Sequence, residues 1–171
     1  MVIKKISWDD YFMTMVYLVA SKSKDERTHI GAVIIGQDKE IRSTGYNSFV
    51  RGLNDDIPER QGKGEKQYWF EHAERNAIYN ATLIGASLKD CIMYTQGVPC
   101  MDGGCARGIV QSGIKEVVVD KKWRPNYAKE WAERNRRTLE MFEEVGVILR
   151  HHETEYVQIK KINDGVVSPL K

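Results

Sequence analysis

Cys91-Ile92-Met93-Tyr94-Thr95-Gln96, then Cys105-Ala106-Arg107-Gly108-Ile109-Val110-Gln111-Ser112, then Glu116-Val117-Val118-Val119-Asp120: these three short runs decide the fold. The first is apolar and strand-like. The second suits a short helix that Gly113 stops. The third carries three successive valines, the pattern of a strand buried on both faces. Strands linked by a single crossover helix pair in parallel, so this unit predicts a parallel pair.

The pattern extends outward from there. His72 to Leu83 suits a helix ended by Gly85. Ile30 to Ile35 is apolar and β-branched, Gly36 to Asp38 supplies a turn, and Ile41 to Tyr46 reads as the partner strand of a hairpin. Ser7-Trp8-Asp9-Asp10 opens a first helix, with Ser7 as N-cap and an acid three residues on. Trp8, Tyr11, Phe12, Met15, Val19 and Lys22 follow at helical spacing and predict one apolar face through about Ser21. Asn126 to Glu144 reads as a long charged helix closed by Gly146, with Trp131, Leu139 and Phe142 as packing residues. Val147 to Leu149 is a last short strand, and Glu153 to Lys171 reads as an arm. Asn47 to Gln67 is the longest irregular stretch, and loops of that length are usually functional or disordered. The whole predicts a single α/β domain over residues 1–171, a three-layer α/β/α fold with a mixed five-stranded sheet.

Composition narrows the function. Lysine plus arginine number 26 against 24 aspartates and glutamates, and the net charge of +2 lacks the basic excess of a polynucleotide binder. No nucleic-acid partner is expected, although a few cations suffice for a small phosphorylated ligand. No apolar run approaches the roughly 18 residues of a membrane span. The N-terminus does not read as a secretory signal, so a soluble cytoplasmic protein is expected. The three cysteines, Cys91, Cys100 and Cys105, are an odd count that disfavours a disulfide framework. Cys91 falls in a predicted strand and reads as a small buried hydrophobe. His29, His151 and His152 stand apart from other metal-ligating residues.

The chemistry concentrates in His72-Ala73-Glu74 and Pro99-Cys100-Met101-Asp102-Gly103-Gly104-Cys105. One imidazole and two thiolates suit zinc. Three protein ligands leave a fourth position open, and water there acquires a pKa of about 7. Glu74, two residues beyond His72 at a helix start, falls beside such a site without being a ligand. It can serve first as general base and then as general acid. Both segments lie where helices begin, and unpaired N–H groups there favour thiolates. Four residues separate the cysteines. Gly103-Gly104 reads as a two-residue insertion able to bulge outward while Cys105 still reaches the metal. Asp102 as a substitute oxygen ligand is the alternative.

H-x-E followed by P-C-x-x-C is a signature of zinc nucleobase deaminases. From about Tyr11 to Leu149 the chain resembles the deoxycytidylate deaminases of the cytidine deaminase superfamily. The resemblance is carried by Ile30-Gly31-Ala32-Val33-Ile34-Ile35, Gly45-Tyr46-Asn47, Arg51-Gly52 with Asp55-Asp56, His72-Ala73-Glu74-Arg75-Asn76-Ala77-Ile78, and Cys105-Ala106-Arg107 with Ile109 to Ile114. It implies a cytidine-deaminase-like fold and hydrolytic conversion of dCMP to dUMP, supplying thymidylate synthesis. It implies Zn2+ on His72, Cys100 and Cys105, with Glu74 as the catalytic proton shuttle. Substrate contacts would come from Asn47, Ile30 and the backbone amide of Ala73, with Trp123 or Tyr127 stacking on the base or else packing against a helix. It further implies a homohexamer activated by dCTP and inhibited by dTTP, often with Mg2+, and an effector site including Asn47, Arg51, Asp55 and Asp56. Ser48 and Val50 stand where the family carries glycine and proline, and Thr82-Leu83 replaces an Ala-Arg pair. If that arginine serves substrate phosphate in relatives, another cation must do so here; Arg51, Arg60, Lys63 and Lys66 are candidates.

Two other readings share the zinc core. One is a deaminase of another substrate: dCTP, guanine or the wobble adenosine of transfer RNA. The other is a non-catalytic zinc domain that senses nucleotides, in which Glu74 has no task.

Overall fold

The computed structural model describes residues 5–123, 132–158, 160–163 and 166–169. Its main sheet has five strands: β1 (Gly31–Ile35), β2 (Ile41–Tyr46), β5 (Ile92–Thr95), β6 (Glu116–Asp120) and β7 (Ile148–His152), in the order β2-β1-β5-β6-β7. β1 and β2 form the expected antiparallel hairpin. β5, β6 and β7 pair in parallel through helices α4 (Cys105–Gln111) and α5 (Ala132–Val145). The crossover through α3 (Ala73–Ile84) behaves differently. It joins β2 to β5, which flank β1 and are both antiparallel to it. The two strands therefore run the same way without pairing, because the hairpin partner already occupies the place between them. The sheet is mixed, as expected.

Alternation along the strands divides the core into two layers. Ala32, Ile34, Met93, Val117 and Val119 face α3, α4 and α5. Val33, Ile35, Tyr94 and Val118 face α1 (Trp8–Ala20). Ser7 caps α1 by accepting a hydrogen bond from the Asp10 N–H. The buried stripe of α1 is Phe12, Met13, Val16 and Ala20, whereas Trp8 and Tyr11 are exposed. The predicted face is thus rotated. Gly31 sets the rotation: a Cβ there would fall 2.2 Å from the Val16 carbonyl oxygen, so the backbone of α1 rests directly on β1.

Helix α3 is seated on β2 in the same manner. Ala73, Ala77 and Ala81 make a small-residue face, and a Cβ on Gly45 would lie 2.2 Å from the Ala77 nitrogen. Polar ties lock this contact. The Ser43 hydroxyl donates to the Ala77 carbonyl, and the Asn76 and Asn80 amides donate to the Tyr46 and Thr44 carbonyls. The start of α3 is therefore fixed relative to the sheet.

Two sequence expectations need correction, the irregularity of Asn47–Gln67 and the packing of Leu139. Asn47–Gln67 is not wholly irregular: β3 (Ser48–Phe49) pairs with β4 (Phe70–Glu71), and Pro58–Gln61 forms a 3₁₀ turn ahead of α2 (Lys66–Trp69). The arm holds a hairpin of β8 (Lys160–Asn163) and β9 (Val166–Pro169). Its first residues are sewn to the body. Thr154 and Tyr156 donate to Asp120, and the Glu155 and Val157 N–H groups donate to Asp10 and Thr14. Of the predicted 126–144 helix, residues 126–131 lie outside the described residues. Within α5, Phe142 is buried and Leu139 is largely exposed. Among the described residues no helix is long and apolar enough to cross a membrane.

Candidate active site

Two helix starts meet at one end of the parallel strands. His72 is the N-cap residue of α3, in extended backbone geometry, and its N–H donates to Glu71 Oε1 at 2.9 Å. Cys105 is the first residue of α4. Cys100 lies in the turn between β5 and α4, and the Pro99 carbonyl accepts a hydrogen bond from buried Thr138 of α5 at 2.9 Å. His72 Nδ1 is 3.2 Å from Cys100 Sγ and 3.3 Å from Cys105 Sγ, and the two sulfurs are 3.6 Å apart. Tetrahedral zinc with ordinary Zn–N and Zn–S bonds has edges of roughly 3.6 Å for N···S and roughly 3.8 Å for S···S. The three donors therefore fit such an ion with small adjustments. Among the described residues no other His, Cys, Asp or Glu joins the group, so Asp102 stands outside it.

The glycine insertion does not bulge away. A turn closes with the Gly104 N–H donating to the Met101 carbonyl, and Gly104 adopts the left-handed conformation at φ 78° as N-cap of α4. Gly103 lies against the donors: a Cβ there would be 2.6 Å from His72 Cε1 and 2.8 Å from Cys100 Sγ. Arg75 holds the turn from outside. Its guanidinium donates to the Gly103 carbonyl and to Glu71. The four-residue spacing is thus accommodated by a turn folded over the cluster.

Charges in the cluster are tightly linked. The Cys105 thiol beside it and the His72 ring push the Cys100 thiol well below its ordinary value. Cys100 in turn raises His72, and Cys100 together with burial raises Cys105. Glu74 is 6 % exposed, and burial raises its carboxyl. Its Oε2 is 3.6 Å from Cys105 Sγ. His72, Cys105 and Glu74 thus hold on to their protons while Cys100 gives its up, and a divalent cation would displace the protons carried by the ligands.

A cavity of about 740 Å³ opens over the cluster, lined by His72, Glu74, Cys100, Ala73, Ile30, Asn47 and Trp123. Ala73 is buried in the first turn of α3, where N–H groups lack intrahelical partners. The Trp123 ring covers Gly97, where a Cβ would be 2.3 Å from Trp123 Cζ3. Tyr127 lies outside the described residues. Asn47 is buried, and its amide is heavily used: Oδ1 accepts from the Ile30 N–H, while Nδ2 donates to Asp25 and to the Thr28 carbonyl.

The expected effector residues separate. Arg51 and Asp55 line a second cavity of about 310 Å³, Asn47 faces the first, and Asp56 lines neither. Arg51 donates to Asn80 at 2.6 Å, and Asp55 pairs with Lys24. Cys91 is buried and free of any disulfide. His152 pairs with Asp10.

Sequence reasoning missed three supports. Asp25 is 2 % exposed and binds Asn47, Lys66 and the Arg27 and Thr28 N–H groups. Gln96 spans from β5 to the Gly31 N–H and the His29 carbonyl. Thr138 reaches Pro99 from a remote helix. No spacing rule links such pairs. Buried polar residues in an otherwise apolar pattern are the available signal, as with Gln96 directly after β5.

Comparison with known proteins agrees with this geometry. Residues 6–121 match the family model described as the cytidine and deoxycytidylate deaminase zinc-binding region. A mouse deoxycytidylate deaminase is 39 % identical over 66 % of this chain and 64 % of its own length. The chain thus spans less than two thirds of that relative. A probable deoxycytidylate deaminase of Drosophila melanogaster is 35 % identical over 86 % of this chain and 73 % of its own length. The fold is similar to the dCMP deaminase of cyanophage S-TIM5, solved with dCMP and dUMP. That likeness has a TM-score of 0.66 at 18 % identity and covers 88 % of this chain and 100 % of that one.

Proposed function

Because the chain belongs to the cytidine and deoxycytidylate deaminase family, we propose that it is a zinc-dependent hydrolase converting dCMP to dUMP and supplying dTTP synthesis. The observation that carries the reading is the convergence of His72 Nδ1, Cys100 Sγ and Cys105 Sγ beside buried Glu74 in the wall of one cavity. His72, Cys100 and Cys105 would hold the ion. Zinc with three protein ligands keeps one coordination position open and brings the pKa of water there to about 7.

The remaining steps belong to the chain. Glu74 takes a proton from the attacking water and passes it to ring nitrogen N3 as the C–O bond forms at C4. It then takes the proton of the new C4 hydroxyl and gives it to the amino group, which leaves as ammonia while the C4 carbonyl forms. The Ala73 N–H donates to the pyrimidine carbonyl. Trp123, seated on Gly97, offers its ring face to the base; Tyr127, outside the described residues, is the alternative candidate for that contact. Ile30 closes the apolar side of the cavity. Asn47 has both amide hydrogens engaged within the chain, so its free capacity is a lone pair on Oδ1. It therefore accepts a hydrogen bond from a sugar hydroxyl.

Regulation is a second part of the proposal. A homohexamer in the cytoplasm is activated by dCTP and inhibited by dTTP, with Mg2+ accompanying the triphosphate. The support is the resemblance together with the second cavity, whose lining includes the cations Lys24 and Arg51 and the carboxylate of Asp55. Asn47 and Asp56 act there only indirectly, through the loop they border.

Ultraviolet assays on dCMP, dCTP, cytidine, guanine and RNA, with and without dCTP and dTTP, test both parts. Turnover of dCMP above the other substrates is expected. Preferred turnover of guanine or RNA would replace the substrate, and turnover of none would leave only a nucleotide-sensing role.

A further inference from the structure

We infer that Lys66 is the side chain that reads the substrate's phosphate, and that the buried carboxylate of Asp25 positions it. The inference rests on the nucleotide reading above and names the determinant that separates a nucleotide from a nucleoside.

Four cations are candidates by sequence, and the fold sorts them. Arg51 lines the second cavity and is turned to Asn80. Arg60 donates to the Asn54 carbonyl and lies over the Trp69 ring, 4.3 Å from its centre. Lys63 lines neither cavity. Lys66, on the single turn of α2, lines the same cavity as His72 and Glu74, and it is the one Lys or Arg among the described lining residues.

The surroundings of Lys66 make it a built contact and not a loose surface lysine. Its ammonium pairs with Asp25, which is 2 % exposed, and lies 5.0 Å from the centre of the Phe70 ring. Asp25 also accepts from the Arg27 and Thr28 N–H groups and from Asn47. One buried carboxylate therefore fixes both Lys66 and the residue that faces the sugar. An ammonium has three donors, and Asp25 takes one, so the others can bind phosphate oxygens. The lining also holds Glu71, Glu74 and Asp102, so an anion entering this cavity meets carboxylates unless a cation is fixed among them. A neutral nucleoside needs no such residue.

The test uses the zinc-loaded full chain. Binding of 5′-monophosphates of uracil, thymine, guanine and adenine deoxynucleosides, each against its own nucleoside, is measured by calorimetry. Steady-state kinetics with dCMP and deoxycytidine run alongside. The wild type is expected to favour the monophosphate of whichever base it binds. Lys66→Gln, which keeps a donor for Asp25 but no charge, is expected to lower that preference about 10- to 100-fold, mainly through KM for dCMP. Lys66→Arg is expected to restore most of it. A monophosphate preference that survives Lys66→Gln would overturn the inference, as would a wild type that binds both forms alike for every base. Should Lys66→Gln fold poorly by circular dichroism, Lys66→Met supplies the same comparison. A Lys66-dependent preference without turnover of dCMP would overturn the deamination reading and leave the phosphate contact standing.

Discussion

Two of the charged clusters in this molecule are closed to different degrees. Under α1, Arg150 makes a bidentate fork on Asp9 at 2.7 and 3.0 Å and reaches Glu116 at 2.9 Å, while the Tyr94 hydroxyl donates to Asp9 at 2.7 Å. One guanidinium meets two carboxylates, and a phenol donates to one of them. Where α3 and α4 begin, His72, Cys100, Cys105 and Glu74 crowd together, and among the described residues no lysine or arginine forms a salt bridge with Glu74. Arg75 passes them and binds the Gly103 carbonyl instead. The first cluster is complete and contributes stability. The second is a set of metal-ligating donors, and a divalent cation bound there would displace their protons.

The sharpest way to break this contrast is Glu74→Gln. The variant removes a proton carrier without removing a ligand, so kcat for dCMP is expected to fall at least about 10²- to 10⁴-fold. Zinc content by elemental analysis should stay at the wild-type value. Loss of zinc together with activity would make Glu74 part of the metal cage. Next in size is Gly103→Ala. Its methyl would press on His72 and Cys100, and zinc affinity measured against a chromogenic chelator is expected to weaken about 10-fold or more. Unchanged affinity would mean that the turn yields easily.

The complete cluster calls for the opposite outcome. Arg150→Met is expected to cost about 2 kcal/mol, lowering the melting temperature by about 4–8 °C while kcat/KM stays as it was. A large drop in turnover would show that the two clusters communicate. The smallest effect concerns acid. The hydrogen bond from Arg150 holds the Asp9 carboxyl below its ordinary 3.8, against the opposing pull of burial. A depressed carboxyl stabilises the fold above 3.8, and that contribution is lost as pH falls through the folded-state value. The gap in urea midpoint between wild type and Asp9→Asn should therefore be constant from pH 7 to about 5 and shrink below 3.8. A gap that widened in acid would assign the stabilisation to some other group.

These clusters were unequally legible in the sequence. His72, Glu74, Cys100 and Cys105 could be read because three of them sit at helix starts and Cys100 in the turn leading into one, each marked by its own neighbours, and a metal needs a particular set of donor atoms. The strands could be read because their apolar runs are short and β-branched. Asp9 with Arg150, or Asp25 with Lys66, could not: partners 141 and 41 residues apart meet only because the sheet order brings them together. The face of α1 was misread for a related reason. Both of its stripes are apolar, and the choice between them falls to Gly31 on a different strand. The outward bulge expected at Gly103-Gly104 failed because backbone freedom says where a turn can form, not toward which neighbour it closes.

The chain beyond β7 carries a practical lesson. Thr154, Glu155, Tyr156 and Val157 each fasten to α1 or to the end of β6, and Tyr17 donates to the same Asp120 carboxylate that receives Thr154 and Tyr156. Trimming at His152 would unbutton the first helix from the rest of the body and leave Asp120 with one phenol in place of two. Anyone shortening this protein for crystallisation should cut beyond Val157, and a fusion partner is better appended after that latch than spliced into it.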